Sequence, residues 1–437
     1  MPAEEETGAP SDRVVGSIVD MAGVSRAKVL PLSRLSAFAE SGAGASPSWN
    51  VFCVDDHLAF TPSFSVTGDL RLRIDRDDVR NLGNGTYWAP ANLVEQDGTP
   101  SAACTRGTLD RVTRQLAAAG TDALVGSEIE FTVFDAVHQE NWAAYGLTVV
   151  LAQETFLRDI LAAASTADLA VEQVHAEYGP NQFEVSLAPA DPVKAADEAV
   201  LARAIVSRVA RTHGLRASFS PMPVLGGSGN GAHLHVSFSR GGVPILSGGD
   251  GQCGLTSSGA AAVAGILGAL PDFMPVLAGS ALSHLRLHPG RWSGVFRCWG
   301  LENREAAVRL CANTSGNPHG ANIEVKPIDP SANPYLSSAA VLGAAYAGMR
   351  DALPLGAEVR GNPAFLSDAE RHELDVTVLP VEPAAMLDRL RSSRLANEVF
   401  GPLILEALLA VKGYEYTEYR DKPVDDVVQR FRYAWTS

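Results

Sequence analysis

Acidic and imidazole side chains recur at alternate positions in four separate segments of the 437-residue chain. Glu128-Ile129-Glu130 lies in an apolar stretch, and His233-Leu234-His235 follows a glycine-rich run. The other two segments read HAEYGPNQFE, at 175–184, and NIEVK, at 322–326. Alternation along a strand places such side chains on one face. One such segment alone is typical of a solvated strand face, but four together indicate a shared site.

Carboxylates that converge in one place repel each other unless a cation neutralises them. In the second segment, Gly-Pro-Asn predicts a turn that returns Glu184 to the face of Glu177. Carboxylate oxygens suit Mg²⁺ or Mn²⁺, and Mn²⁺ also tolerates an imidazole. Five glutamates and one histidine would supply three protein ligands to each of two ions. Such a pair of ions suits phosphoryl transfer, in which metals neutralise the charge of phosphate oxygens.

Cationic residues lie close in sequence to these candidate ligands: Arg286, Arg304, Arg309 and Lys326. The chain as a whole is acidic, with 35 Lys plus Arg, 50 Asp plus Glu and a net charge of −15. A field of that sign repels nucleic acid and anionic membranes, so we expect neither as a partner. An anionic substrate would need local cations, and a triphosphate and an amino-acid carboxylate are the groups that this set could hold.

The elements that must position these residues follow an α+β pattern. A disordered acidic tail is predicted at 1–12, a mostly β domain at 13–106 and a larger domain of alternating strands and helices at 107–437. Strand-like segments of the first domain are 14–22, 27–30, 51–60 and 68–75. The second domain is predicted to begin with a helix at 108–119, for which Thr108 is a possible N-cap.

An apolar window, Gly259–Leu270, is followed by Pro271-Asp272 and predicts a buried helix too short to span a bilayer. The N-terminus has no apolar stretch typical of a signal peptide. Five scattered cysteines form no CxxC pattern, so neither a disulfide framework nor a zinc finger is indicated, and a reducing cytoplasm is expected.

From about Val14 to Arg432, these motifs resemble, in order and spacing, those of the glutamine synthetases and the related γ-glutamylamide ligases. AGVSRAKV, at 22–29, resembles the opening of their N-terminal β-grasp domain. GSEIEF and HAEYGPNQFE resemble two metal-binding strands, and GSGNGAHLHVS resembles an ATP-site motif. NREAAVR, IEVK and DPSANPYL resemble the arginine and last metal segments. The resemblance implies a β-grasp domain followed by a catalytic domain with a curved, barrel-like antiparallel sheet and flanking helices.

The resemblance also implies a role for individual residues, with ATP as co-substrate and two Mg²⁺ or Mn²⁺ ions. The ion on the amino-acid side would be held by Glu130, Glu177 and Glu184. The ion on the ATP side would be held by Glu128, His233 and Glu324. Phosphate-contacting positions are matched by His235, Arg304 and Arg309, and a position near the adenine by Ser237.

Binders of glutamate are matched by Gly229 and Arg286, and Lys326 stands where the family has an arginine spanning glutamate and phosphate. The implied reaction has two steps. The γ-carboxylate of glutamate attacks the γ-phosphate of ATP, and a neutral amine then displaces phosphate from the γ-glutamyl phosphate.

The flap after HPG, at 288–290, departs from the family pattern. Ammonia-using members carry there a glutamate that closes over the ammonium site, and Trp292 occupies that position here. An indole packs apolar carbon and makes cation–π contacts, but it cannot accept a proton as a carboxylate does. We therefore expect a small organic amine as the acceptor. Asp55, or its neighbour Asp56, matches a residue that reaches the amine site of an adjacent subunit.

Further departures concern the acid substrate and the nucleotide. Ser228 replaces an asparagine that helps hold glutamate, Lys326 loses the bidentate fork of arginine, Asn322 replaces a basic residue, and Met222 stands where a lysine is common. The acid is therefore expected to be glutamate or a close analogue. Two rival interpretations remain, a true glutamine synthetase and a catalytically weak structural or binding member of the family. The resemblance further implies a homo-oligomer, usually of two stacked hexameric rings.

Overall fold

The computed structural model describes residue 9, residues 11–135 and residues 142–436. The predicted tail at 1–12 lies for the most part outside this range. Two β-sheets with helices packed around them form the described chain, so the α+β class is confirmed. The first sheet is built from residues 13–94 and the second from residues 122–378.

The first sheet has six strands: β1 (Arg13–Val19), β2 (Ser25–Pro31), β3 (Ala43–Ala45), β4 (Leu70–Ile74), β5 (Arg80–Asn81) and β6 (Thr86–Val94). Their order is β2-β1-β6-β4-β3, and β5 pairs with β6. The central pair β1–β6 is parallel and the other pairs are antiparallel. In β4 the buried residues alternate, as the sequence LRLRI predicts for a half-buried strand.

The strand predicted at 51–60 is wrong. A short 3₁₀ helix, Pro47–Val51, occupies the start of this region, and a loop with one isolated bridge, Phe52 to Leu58, follows it. Asp56 has a φ of 66°, and such a left-handed residue interrupts extended structure. The apolar residues of this loop are buried against the helices of the larger domain, which explains their strand-like composition.

The second sheet has ten strands: β7 (Asp122–Phe134), β8 (Val171–Ala176), β9 (Gln182–Ala190), β10 (Arg216–Ser218), β11 (Ala232–Arg240), β12 (Val243–Pro244), β13 (Phe296–Leu301), β14 (Ala306–Cys311), β15 (Asn322–Val325) and β16 (Thr377–Val378). Their order is β16-β13-β14-β15-β11-β7-β9-β8, with β10 on β7 and β12 on β11. All pairs are antiparallel except β13–β14. The four chemistry-bearing segments therefore lie on neighbouring strands of one sheet.

The α-helices are α1 (Leu35–Glu40), α2 (Thr105–Ala118), α3 (Leu147–Ala152), α4 (Glu154–Thr166), α5 (Pro192–Thr212), α6 (Ser257–Leu277), α7 (Ser283–Arg286), α8 (Pro334–Arg350), α9 (Asp368–Glu373), α10 (Pro383–Ser392), α11 (Arg394–Tyr419) and α12 (Val424–Phe431). Helices α5, α6 and α8 pack together or against the second sheet and carry much of the core.

Helix α6 is longer than the sequence indicated, because it continues through Pro271 and Pro275 to Leu277. Its length and apolar composition would suffice to cross a membrane, but 67% of its most apolar window is buried inside the protein, where it packs on α8. A close approach of glycines makes this packing possible, since a Cβ on Gly265 would lie 2.2 Å from the carbonyl oxygen of Ala344. The prediction of a buried helix is confirmed, and its predicted end is wrong.

Helix α2 joins the two sheets, and it begins before Thr108. Cys104 is its N-cap, with the sulfur accepting from the Gly107 N–H, while the hydroxyl of Thr108 bonds the Cys104 carbonyl. The Arg106 guanidinium reaches Asp197 on α5 at 2.8 Å and Asp78 of the first domain at 2.9 Å. These ion pairs connect both sides of the predicted boundary near residue 106, and that boundary stays a prediction.

Candidate active site

A cavity of about 750 Å³ opens beside strands β7, β8, β9, β11 and β15. All six residues that the resemblance implies as metal ligands line it: Glu128, Glu130, Glu177, Glu184, His233 and Glu324. Most of the residues expected to bind substrates line it as well: Gly229, Arg286, Trp292, Arg304, Arg309 and Lys326. The fold thus brings together side chains that are almost 200 positions apart in the sequence.

Strand register explains how the central part of this site forms. His233 on β11 lies opposite Glu128 on β7, and His235 lies opposite Glu324 on β15. The Nδ1 atom of His233 is 3.4 Å from Glu128 Oε2 and 3.5 Å from Glu324 Oε1. The Nε2 atom of His235 is 3.3 Å from Glu128 Oε1. Both imidazoles therefore reach one carboxylate, as expected for alternate residues of one strand.

The hairpin of β8 and β9 supplies the second part. Asn181 takes a φ of 58° in its turn, a conformation that asparagine tolerates better than most residues. The imidazole Nε2 of His175 lies 2.9 Å from Glu177 Oε1 and 3.8 Å from Glu184 Oε1. The turn therefore returns the two glutamates to one face, as predicted. Sequence reasoning did not include His175 among the site residues, although its spacing of two from Glu177 was a usable signal.

Three groups of donor atoms are compact enough to hold an ion, each within 4.8 Å: Glu128, Glu184 and His233; Glu128, His235 and Glu324; and His175, Glu177 and Glu184. These groups differ from the two ligand sets that the resemblance implies, because His235 and His175 join them and Glu130 does not. Glu130 Oε2 already accepts from the Gly231 N–H at 2.8 Å and from Gln182 Nε2 at 3.1 Å. Sequence reasoning also missed Gln182, a buried residue that fixes this carboxylate.

The electrostatics of the cluster fit a cation. Burial, and then repulsion from the neighbouring carboxylates, raises the pKa of Glu184 to about 9. The pKa of Glu324 is lowered despite its burial, because Lys326 and both imidazoles stabilise its charge. Buried carboxylates with unneutralised mutual repulsion, combined with imidazole donors, are a donor set that suits Mg²⁺ or Mn²⁺. The residues present therefore fit the implied divalent ions.

Three cations lie against His233 and Glu324. Buried Arg286 donates through Nη2 to His233 Nε2 and to the Lys326 carbonyl, both at 3.1 Å. Glu324 accepts from Lys326 Nζ at 2.8 Å and from Arg309 Nη1 at 3.1 Å. These contacts hold three positive groups beside the carboxylates without leaving them exposed. They place charge where an anionic substrate would need it.

Aromatic side chains form one wall of the cavity. Trp292 is 50% exposed, and its ring meets that of Tyr178 edge to face, with centroids 6.3 Å apart. The hydroxyl of Tyr145 donates to Glu177 Oε2 at 3.0 Å. Neither tyrosine was predicted as a site residue, although Tyr178 follows directly after Glu177 in the motif.

His235 reaches Glu128 without lining the cavity, and two other predicted residues lie away from it. Asp55 is held in the loop after Val51, where Tyr419 donates to its Oδ2 at 2.6 Å and Tyr414 at 3.1 Å. Burial opposes its ionisation, but these hydrogen bonds outweigh it and lower its pKa. Ser237 is half-buried on β11 beyond His235. The roles predicted for both stay predictions. The Oδ1 atom of Asn322 accepts a hydrogen bond from His235 Nδ1 at 2.9 Å.

The glutamine synthetase catalytic-domain profile matches residues 102–431, three quarters of the chain. The chain belongs to the glutamine synthetase family. It is 38% identical to the γ-glutamylpolyamine synthetase GlnA3 of Streptomyces coelicolor, over 99% of this chain and 95% of that protein. It is 30% identical to the glutamine synthetase of Pyrococcus abyssi, over 88% of this chain and 85% of that protein.

Solved structures agree with this assignment. The crystal structure of a glutamine synthase homologue superposes with a TM-score of 0.88 at 31% identity, covering 99% of this chain and all of that one. The ADP complex of GmaS superposes with a TM-score of 0.82 at 23% identity, with 96% of each chain covered, and supports the fold. The predicted fold is confirmed, and the protein is an ATP-dependent ligase of this family.

Proposed function

We propose that this ligase forms a γ-glutamyl amide from glutamate, or a close analogue, and an organic amine. The observation that carries the proposal is Trp292, an indole at the cavity wall where ammonia-using members of the family carry a glutamate. Together with Tyr178 it offers an apolar surface and ring faces for an alkylammonium group. The similarity to a γ-glutamylpolyamine synthetase over almost the whole chain supports the same conclusion.

The five cavity glutamates and His233 would hold two divalent ions, one on the amino-acid side and one on the ATP side. When bound, such ions neutralise phosphate and carboxylate charge and so favour the approach of two anionic substrates. His175 lies close enough to join Glu177 and Glu184, and His235 lies close enough to join Glu128 and Glu324. Their imidazoles would accommodate Mn²⁺ better than Mg²⁺.

The remaining cations have separate tasks in this proposal. Arg304, Arg309 and His235 contact the phosphates of ATP, and Ser237 lies near the adenine. Arg286 and Gly229 bind glutamate. Lys326 is held by Glu324 at 2.8 Å and is buried, so its ammonium is already oriented for an oxygen shared between the acid and the phosphate.

The reaction would proceed in two steps. The γ-carboxylate oxygen of glutamate attacks the γ-phosphorus of ATP and releases ADP. The lone pair of the neutral amine then attacks the γ-glutamyl carbon, and inorganic phosphate leaves. The amine attacks in its neutral form, so a bound ammonium must first give up one proton.

Asp55 would complete the amine site of a neighbouring subunit in a homo-oligomer of two stacked hexameric rings, located in the cytoplasm. Its carboxylate, kept ionised by Tyr414 and Tyr419, could orient the incoming ammonium and accept its proton. This part of the proposal is independent of the metal ligands.

A phosphate-release assay tests the proposal. Glutamate, ATP and Mn²⁺ are combined in turn with ammonium, methylamine, ethanolamine, putrescine, spermidine and aniline, and the product is identified by mass spectrometry. We expect at least one organic amine to exceed ammonium in kcat/KM by roughly tenfold or more, as apolar contacts with added methylene groups permit. Ammonium as the best acceptor would instead establish a glutamine synthetase. ATP binding without turnover on any acceptor would establish a catalytically weak member.

A further inference from the structure

Glu305 is a buried acid that none of the roles above uses. It is 4% exposed, in the turn before β14, directly after Arg304. Neither carboxylate oxygen has a hydrogen-bond partner among the residues that the structure describes. Buried polar groups are paired in the great majority of proteins, so an unpaired carboxylate is a costly feature that calls for an explanation.

The cation that attracts the Glu305 carboxylate, Lys326, is bonded to another acid. Its attraction acts through space, but the ammonium bonds Glu324. Burial raises the pKa of Glu305, and the backbone N–H groups of Trp292 and Gly290, followed by Lys326, only partly offset this effect. A purely structural ion pair therefore does not account for the residue.

The flap lies close to this carboxylate, and from here on its name includes the HPG segment before it, so that it spans residues 288–294. The backbone N–H groups of Gly290 and Trp292 face the carboxylate, but neither reaches hydrogen-bond geometry. The φ angles of Gly290, Trp292 and Gly294 are 76°, 53° and 70°. Alternating left-handed residues turn successive N–H groups into an anion-binding concavity. For Trp292 this conformation is strained, and strain of this kind persists only where the surroundings maintain it.

Two further contacts limit how the flap can move. A Cβ on Gly294 would lie 2.6 Å from the Cβ of Lys326, so the end of the flap is packed tightly on the catalytic lysine. The middle of the flap carries Arg291 and Trp292, which are exposed. The flap is therefore anchored at its end, and the position of its middle depends on contacts such as that between Trp292 and Tyr178.

We propose that Glu305 is a positioning residue that holds the flap closed by accepting hydrogen bonds from the Gly290 and Trp292 N–H groups, and thereby sets Trp292 against Tyr178 at the amine site. In the arrangement described here these bonds are partly formed, and closure over the substrates completes them. The Glu305 carboxylate thus fixes the flap backbone from below. The flap presents the apolar ring of Trp292 to the amine on its other side. The assignment of the amine site rests on the proposed function. The hydrogen bonding of the flap backbone to Glu305 does not depend on it.

Trypsin provides a readout that is independent of catalysis, because Arg291–Trp292 is a cleavable bond in the flap. Glu305→Gln keeps the shape of the side chain and removes the charge that lacks a partner. We expect cleavage after Arg291, followed by mass spectrometry of the full chain, to be about threefold to tenfold faster in this variant, since the net contribution of one ordinary hydrogen bond shifts an equilibrium by roughly that factor. The thermal midpoint should be unchanged or higher, because the unpaired charge is gone.

Kinetics provide the second readout. In Glu305→Gln we expect the KM of the best amine to rise about tenfold, with the KM of ATP within about twofold of the wild type, and Glu305→Asp to restore part of the loss. Glu198→Gln, a change at a buried glutamate on α5 outside the cavity and the flap, is the matched control and should alter neither readout. If no amine supports turnover in the wild type, the proposed function fails, and the cleavage rates still decide the role of Glu305. Unchanged cleavage after Arg291, or a lower thermal midpoint with uniformly faster cleavage along the chain, would overturn the inference.

Discussion

The metal-free protein should retain a proton on Glu184 at neutral pH. This side chain is 5% exposed and faces four other carboxylates, and burial together with their repulsion raises its pKa from 4.5 to about 9. Between these two values the folded protein binds a proton that the unfolded chain lacks. The contribution of this group to stability is therefore fully present below pH 4.5 and is lost as the pH rises through 9.

The size of the effect follows from linkage. One additional proton in the folded state changes the free energy of unfolding by about 1.4 kcal/mol per pH unit. Between pH 7.5 and 9 the chelator-treated protein should thus lose about 2 kcal/mol of stability from this group. A divalent ion would take the place of the proton, so binding of Mn²⁺ at pH 7.5 should release about one proton per protomer.

Calorimetry checks this expectation. Mn²⁺ is titrated into the chelator-treated protein at pH 7.5 in two buffers that differ in ionisation enthalpy, which gives the number of protons released. Glu184→Gln should release almost none, and its thermal midpoint should vary less between pH 7.5 and 9. Glu398→Gln, at an acid on α11 paired with Arg350, serves as the control and should behave like the wild type. Equal proton release from the wild type and Glu184→Gln would refute the reasoning.

Three further changes test other parts of the molecule. Arg106→Met leaves Asp78 and buried Asp197 without their arginine partner. It should lower the free energy of unfolding, measured by chemical denaturation, by about 3 kcal/mol. The control Arg114→Met, at an exposed ion pair, should lower it by less than about 1 kcal/mol. Trp292→Glu should raise kcat/KM for ammonium relative to organic amines, because it supplies the carboxylate that the flap lacks, and an unchanged ratio would contradict its role in selectivity. Asp55→Ala should raise the KM of the amine and leave Mn²⁺ affinity unchanged, as measured by initial rates and calorimetry, and unaltered amine kinetics would remove Asp55 from the site.

The sequence was informative wherever a local pattern determined local geometry. Alternation predicted that His233 and His235 share a face, and register with β7 brings both to Glu128. The Gly-Pro-Asn turn predicted the return of Glu184 towards Glu177. In each case a period of two or a short turn is enough to place side chains.

Errors arose where long-range packing overrides local preference. The residues after Val51 are apolar because they pack beneath α11, with the Val54 N–H bonded to Glu415, and not because they form a strand. Helix α6 continues past Pro271 because burial against α8 outweighs the lost backbone bonds. The contributions of Tyr145, Gln182 and Glu305 depend on contacts across the fold that no spacing in the sequence reveals.

The charges of the cavity explain why an acidic protein can serve anionic substrates. Its lining contains five glutamates and five arginine or lysine residues. Without ions these charges nearly cancel, and the glutamates would repel a triphosphate or an amino-acid carboxylate. Two divalent ions would leave the cavity positive by about four charges, which suits both anions at once. The overall charge of −15 then acts at a distance, while Arg309 and Lys326, held by Glu324, act in contact. In the proposed function, affinity for the substrates would therefore depend on the ions, because the carboxylates that bind the ions would otherwise repel the substrates.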